Sequence, residues 1–254
     1  MAAPDASFES LIAEARDVDV SGWDFSWLDG RATEERPPWG YAGVLAGALA
    51  TASASLDLQT GGGEVLATCG RFPAVAVATE GYPPNVARAT ALLRPRGVAV
   101  VAHEEGVPLP FADGAFDLVT SRHPASMDWP EIARVLEPGG RYVAQHVGPS
   151  SAVELIEWFL GPQPGAPRWR HPDDEAAAAE AAGLVIDGIE RATLRIEILD
   201  VGAAVYLLRK LPWWVPDFSV DRYADELRAL HDRIRADGVF VSQSSRHLIR
   251  AHRA

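Results

Sequence analysis

The chain has 254 residues, 48% of them hydrophobic, which is enough for one sizeable core or two small ones. Its formal net charge of −12 repels phosphate backbones and argues against general nucleic-acid binding. A lone cysteine, Cys69, excludes an internal disulfide, and the seven histidines show no metal-ligand spacing, so no metal is expected.

In chain order, Met1–Asp5 does not open a basic, then apolar, leader. Residues 7–16 predict a short helix with Ser7 as its cap. The aromatic stretch from Trp23 through Phe25 and Trp27 to Gly30, then Pro37, Pro38, Trp39 and Gly40, reads as an arm or lid. A helix follows from about Tyr41 to Ala54. The apolar run Tyr41–Leu56 is broken by Thr51, Ser53 and Ser55 and is too short to span a bilayer, so a cytoplasmic protein is expected. Short apolar runs then begin at Leu56, Ala74, Val98, Phe116 and Arg141, with helical stretches near 63–70, 84–93, 129–136 and 151–160. Such alternation predicts a parallel sheet with helices on both faces. An alanine-rich helix (Asp173–Ala182) and a strand at Leu184–Ile186 come next. Residues 200–240 read as a helical insertion with Ser219 capping its main helix, although 200–208 also fits a continuing strand. A last strand near 246–252 carries Arg246 and Arg250, with Arg253 directly after it, a pattern suited to a charged sheet edge.

The chemistry begins where Leu56-Asp57-Leu58 runs into Gln59-Thr60-Gly61-Gly62-Gly63. Glycines admit positive φ and a close ligand, and the helix that follows offers free N–H groups. Val75 to Ala78 is an apolar strand leading to Thr79 and Glu80. Glu80 stands 19 residues after Gly61, near the spacing at which an acid meets ribose hydroxyls in dinucleotide-binding units. A carboxylate suits a vicinal diol because it accepts two hydrogen bonds.

Two later segments carry a resemblance. Leu109-Pro110-Phe111-Ala112-Asp113-Gly114-Ala115-Phe116-Asp117 and Glu131-Ile132-Ala133-Arg134-Val135-Leu136-Glu137-Pro138-Gly139-Gly140 resemble paired segments of class I S-adenosylmethionine-dependent methyltransferases of the type 11-like kind. With the glycine turn, the match covers roughly residues 55–150. Gly22–Ser26, Pro38–Tyr41, Thr79–Asn85 and Gln145–Gly148 are similar to a bacterial group of stand-alone methyltransferases. The resemblance implies a Rossmann-like, seven-stranded, mostly parallel sheet with an N-terminal aromatic lid (1–40), a cofactor core (41–199), a helical acceptor cap (200–240) and a last strand (241–254). It implies S-adenosyl-L-methionine as cofactor, a small-molecule acceptor, and neither membrane nor general nucleic-acid partners.

Carried over residue by residue, Asp57 and Gly61 to Gly63 surround the methionine part and Glu80 holds the ribose, with Tyr41, Gln59, Thr60, Gly81, Tyr82 and Asn85 as further cofactor contacts. Either Glu104 or Glu105 meets the adenine amine, and Ser121 and Arg122 line the junction of cofactor and acceptor. One departure stands out: Gln59 occupies the first glycine position of the family's turn, which keeps a non-catalytic cofactor-binding relative in view, beside an RNA methyltransferase. His123 and His146 fall just past strand ends and are the candidate general bases, and each also fits a hydrogen-bonded structural histidine. Trp39, Trp213 and Trp214 are the candidate acceptor contacts, or packing residues.

Overall fold

The computed structural model describes residues 6–165 and 170–254. Met1–Asp5, read above for a leader, lies outside the described residues. In chain order the elements are α1 (Phe8–Asp17), β1 (Ala32–Glu34), α2 (Tyr41–Leu49), β2 (Ala54–Leu58), α3 (Glu64–Ala67), β3 (Val75–Glu80), α4 (Pro83–Leu93), β4 (Ala99–Ala102), β5 (Phe116–Arg122), α5 (Trp129–Val135), β6 (Leu136–Val147), α6 (Val153–Leu160), α7 (Pro172–Ala181), β7 (Leu184–Ile198), α8 (Val201–Lys210), α9 (Ala224–Asp237) and β8 (Phe240–Arg253). The described residues form two compact units, one of residues 37–148, 170–192 and 246–254, the other of 6–36, 149–165 and 193–245.

The fold is α/β with a mixed, mostly parallel sheet. Among the described residues it has eight strands, not the expected seven, in the order β1-β7-β8-β6-β5-β2-β3-β4. The extra strand is β1, three residues of the presumed arm that pair antiparallel with the end of β7. Three residues are too few to show a period, so the strand is invisible in the sequence.

In the first unit, β2 pairs in parallel with both β3 and β5, and β5 with β6. Four of its five residues are buried, as a central strand covered on both faces requires. One face packs Trp129 and Ile132 of α5 and Ala179 of α7. The other packs Tyr41 and Leu45 of α2 and Ala89 and Leu93 of α4. Helix starts follow local chemistry: Pro83 and Pro84 open α4, and the Asp128 carboxylate caps α5 by accepting from Glu131 N at 3.1 Å. The last strand is not an edge. β8 lies between β7 and β6, runs antiparallel to β6, and fully buries Leu248 and Ile249. Its charged residues are paired across strands, Arg250 with Glu190 and His252 with Asp187 at 2.8 Å.

The second unit is mainly helical. Leu11 and Ile12 of α1, Leu155 of α6, Val205 and Leu208 of α8, and Leu227 and Leu230 of α9 form its core. Residues 201–210 are helix rather than strand, because Asp200 caps them by accepting from Ala203 N at 2.9 Å. Ser219 instead caps a turn, accepting from Arg222 N, and α9 starts at Ala224. The aromatic arm packs here: Trp27 stacks on Tyr206 at 4.9 Å, and Trp23 meets Trp213 at 6.2 Å. No described helix is long and apolar enough to cross a membrane.

Candidate active site

Strand order reverses between β2 and β5, and open α/β sheets take ligands beyond the carboxyl ends of such a pair. The candidate residues gather there. Gln59 leaves β2 with φ +53°, Gly61 has +65° and Gly63 +81°. Thr60 N donates to Thr79 O at 2.9 Å and Gln59 N to Thr79 Oγ1 at 3.3 Å, which ties the turn to β3. Glu80 ends β3 almost wholly buried. Its carboxylate accepts from Gly61 N at 2.7 Å and from Tyr82 N, at the cap of α4, at 2.9 Å. Gly81 has a steric reason, since a Cβ there would lie 2.9 Å from the backbone oxygen of His103.

Asp57 is buried beneath the turn and accepts from Thr120 Oγ1, its register partner on β5, at 2.6 Å. Burial raises its pKa to about 6, against the pull of the threonine hydroxyls. Ser121 Oγ donates to Leu58 O at 2.8 Å, and the Tyr41 hydroxyl donates to Ser121 O at 2.9 Å. Arg122 is exposed.

The Gln59 side chain is engaged at both ends. Its Nε2 donates to Ser126 O at 2.7 Å, and its Oε1 accepts from Ala125 N at 2.6 Å. It therefore fastens the turn after β2 to the loop after β5, which a glycine could not do. Ser126 Oγ in turn donates to Glu105 at 2.9 Å; Glu104 and Glu105 are both exposed. Asn85, in the first turn of α4, is buried, and its Nδ2 has no partner among the described residues.

The two histidines are placed differently from a free base. His123 Nε2 accepts from Gln145 Nε2 at 2.7 Å, and Gln145 Oε1 accepts from Trp39 Nε1 at 2.7 Å. Burial, then the nearby Arg122 and Arg246 charges, hold the His123 pKa well below its usual value. His146 is fully buried, with Nδ1 on Glu175 Oε2 at 2.7 Å and Nε2 on the Tyr142 hydroxyl at 2.9 Å. Both lone-pair positions that a base would use are occupied. Trp213 and Trp214 belong to the helical unit; Trp213 is exposed and Trp214 packs on that unit's core. Sequence reasoning assigned no role to Gln145, Thr79 or Thr120, whose polar side chains inside apolar strands are the signal that could have marked them.

Residues 56–144 match a family model described as a methyltransferase domain. This segment is a methyltransferase domain. Solved structures share the fold of the domain and more. A methyltransferase of Bacillus halodurans is 17% identical with a TM-score of 0.57, over 83% of this chain and 97% of its own. The YcgJ protein of Bacillus subtilis is 18% identical with a TM-score of 0.58, over 84% of this chain and 97% of its own. Geranyl diphosphate C-methyltransferase of Streptomyces coelicolor, solved with Mg2+, geranyl diphosphate and S-adenosyl-L-homocysteine, is 15% identical with a TM-score of 0.53, over 100% of this chain and 86% of its own. No curated protein matches the chain in sequence.

Within the methyltransferase domain, the two family segments hold each other. Arg134 donates to Leu109 O at 3.0 Å and Phe111 O at 2.7 Å, and pairs with Asp113 at 2.8 Å and Glu131 at 2.7 Å. Glu131 also accepts from Leu109 N at 2.6 Å. Asp117 accepts from Ser53 N and Ala54 N at the start of β2.

Proposed function

We propose that this chain transfers a methyl group from S-adenosyl-L-methionine to a small-molecule acceptor. The observation that carries the reading is Glu80, a nearly buried carboxylate at the end of β3 directly beside the glycine turn. Each of its oxygens keeps a lone pair beyond its backbone bond, as two ribose hydroxyls require. The donor set fits the cofactor in other respects. Asn85 Nδ2 is a buried donor without a partner among the described residues, and burying one unbonded is costly unless a ligand takes it. The Streptomyces relative by fold works on a small molecule and holds the demethylated cofactor, in keeping with this assignment.

The cofactor, when bound, supplies both the methyl group and its leaving group. The chain's own residues then have three tasks. Glu80, Gly81 and Asn85 hold the nucleoside, and Tyr82 and Glu104 are exposed beside them. Asp57 and the Gly61–Gly63 backbone hold the amino-acid end. His123 orients the acceptor as a neutral imidazole; with its Nε2 engaged, neither it nor His146 takes up a proton. Positioning of this kind is the main contribution that a group-transfer enzyme makes.

Calorimetry of the full chain with S-adenosyl-L-methionine and S-adenosyl-L-homocysteine tests the reading. One site per chain for each is expected; absence of heat with both would overturn it.

A further inference from the structure

Outside the candidate active site, three chemistry-bearing side chains meet in the core of the first unit. His146 of β6 and His247 of β8 are register partners on antiparallel strands, so both rings stand on one face, with centroids 5.1 Å apart. Glu175 of α7 reaches in from above. Its Oε2 lies 2.7 Å from His146 Nδ1 and 2.6 Å from His247 Nε2. These three atoms all fall within 4.8 Å of one another, and all three residues are more than nine-tenths buried.

The distribution of partners is lopsided. Two imidazole nitrogens converge on one carboxylate oxygen, while the other, Oε1, is buried without a hydrogen bond among the described residues. Arg170 Nε is 3.8 Å from that oxygen, too far for one. A carboxylate that served only as an acceptor for two N–H groups would gain more by giving one oxygen to each, because an unpartnered buried oxygen costs about 1–3 kcal/mol. Two imidazole nitrogens and a carboxylate oxygen gathered within 4.8 Å of one another are the donor set of a first-row divalent cation.

We propose that His146 Nδ1, His247 Nε2 and Glu175 bind one divalent transition-metal ion, zinc in the first instance, which ties the end of β6, the middle of β8 and the first turn of α7 together. Oε1 then becomes a second carboxylate ligand or the outer partner of Arg170. Each imidazole carries its proton on the nitrogen away from the ion. His146 Nε2–H donates to the Tyr142 hydroxyl oxygen, the kind of outer contact that fixes a ligating ring. The role is structural, since the ligands have no open face for a substrate.

Because the ligands are buried, the ion enters as the chain folds. The test is therefore made on full-length protein produced in zinc-supplemented medium and desalted. About one zinc per chain is expected by elemental analysis. Anomalous scattering at the zinc edge should place it between His146 Nδ1 and His247 Nε2. Glu175→Gln and His247→Gln should each lower the zinc content about tenfold or more. Zinc-free wild-type protein, or a zinc peak at the surface His171–Asp173 or His252–Asp187 pairs, would overturn the proposal. The wild-type measurements decide the matter even if neither variant folds.

Discussion

Two regions of the methyltransferase domain use polar side chains in opposite ways. Around Arg134 every strong group is matched: the guanidinium meets two backbone oxygens and two carboxylates, and Glu131 also takes Leu109 N. Around the Gly61–Gly63 turn the matching is incomplete. Among the described residues Asn85 Nδ2 has no partner, Asp57 is buried with a raised pKa, and Glu80 meets only backbone. A region that satisfies itself stabilises the fold. A region that leaves buried polar capacity open gives up stability that a ligand can restore.

The sharpest way to break this contrast is to cross the two properties, stability and ligand affinity. Arg134→Met removes the donors to two backbone carbonyls and two ion pairs from a largely covered side chain. Urea unfolding should show a loss of about 3–4 kcal/mol, with cofactor affinity per folded molecule unchanged. A comparable loss of affinity would mean that the family segments bind as well as brace.

Asp57 gives the next largest effect, and its sign is opposite to that of most carboxylates. Its folded pKa of about 6 lies above the unfolded value of about 3.9. The folded state therefore holds the proton more tightly. The stability it contributes is full below about pH 4 and is lost as pH rises through 6. Relative to wild type, Asp57→Asn should gain about 2 kcal/mol between pH 4 and pH 7, read from urea midpoints at each pH. A constant difference between the two proteins would show that Asp57 does not titrate there.

Glu80→Gln is the smallest change in stability and the most direct probe of binding. The amide keeps one acceptor and turns a donor toward a backbone N–H. Cofactor affinity should fall by about 2 kcal/mol, roughly thirtyfold in Kd, while unfolding shifts by about 1 kcal/mol. Equal affinities by calorimetry would remove Glu80 from the ribose.

What was legible in the sequence follows from range. The strands from Ala54 to Val147 and their helices show as alternating apolar runs because each is bounded by local turn chemistry. Glu80 was legible because a fixed crossover length carries it back to the turn. β1 was missed for shortness, and β8 was misread as an edge because Arg246, Arg250 and Arg253 draw attention away from Leu248 and Ile249 between them. Gln59 was seen as a departure, but its partners Ala125 and Ser126 are more than 60 residues away. His146, Glu175 and His247 share no spacing at all; they are separated by 29 and 72 residues and meet only through strand register and helix placement.

The bond series from Trp39 to Gln145 to His123 has a direction. An indole can only donate, so the amide must present its oxygen to Trp39 and its NH2 to His123. That leaves the imidazole with its proton on Nδ1. A residue that can never change its role, the tryptophan, thus sets the polarity of one that ordinarily can.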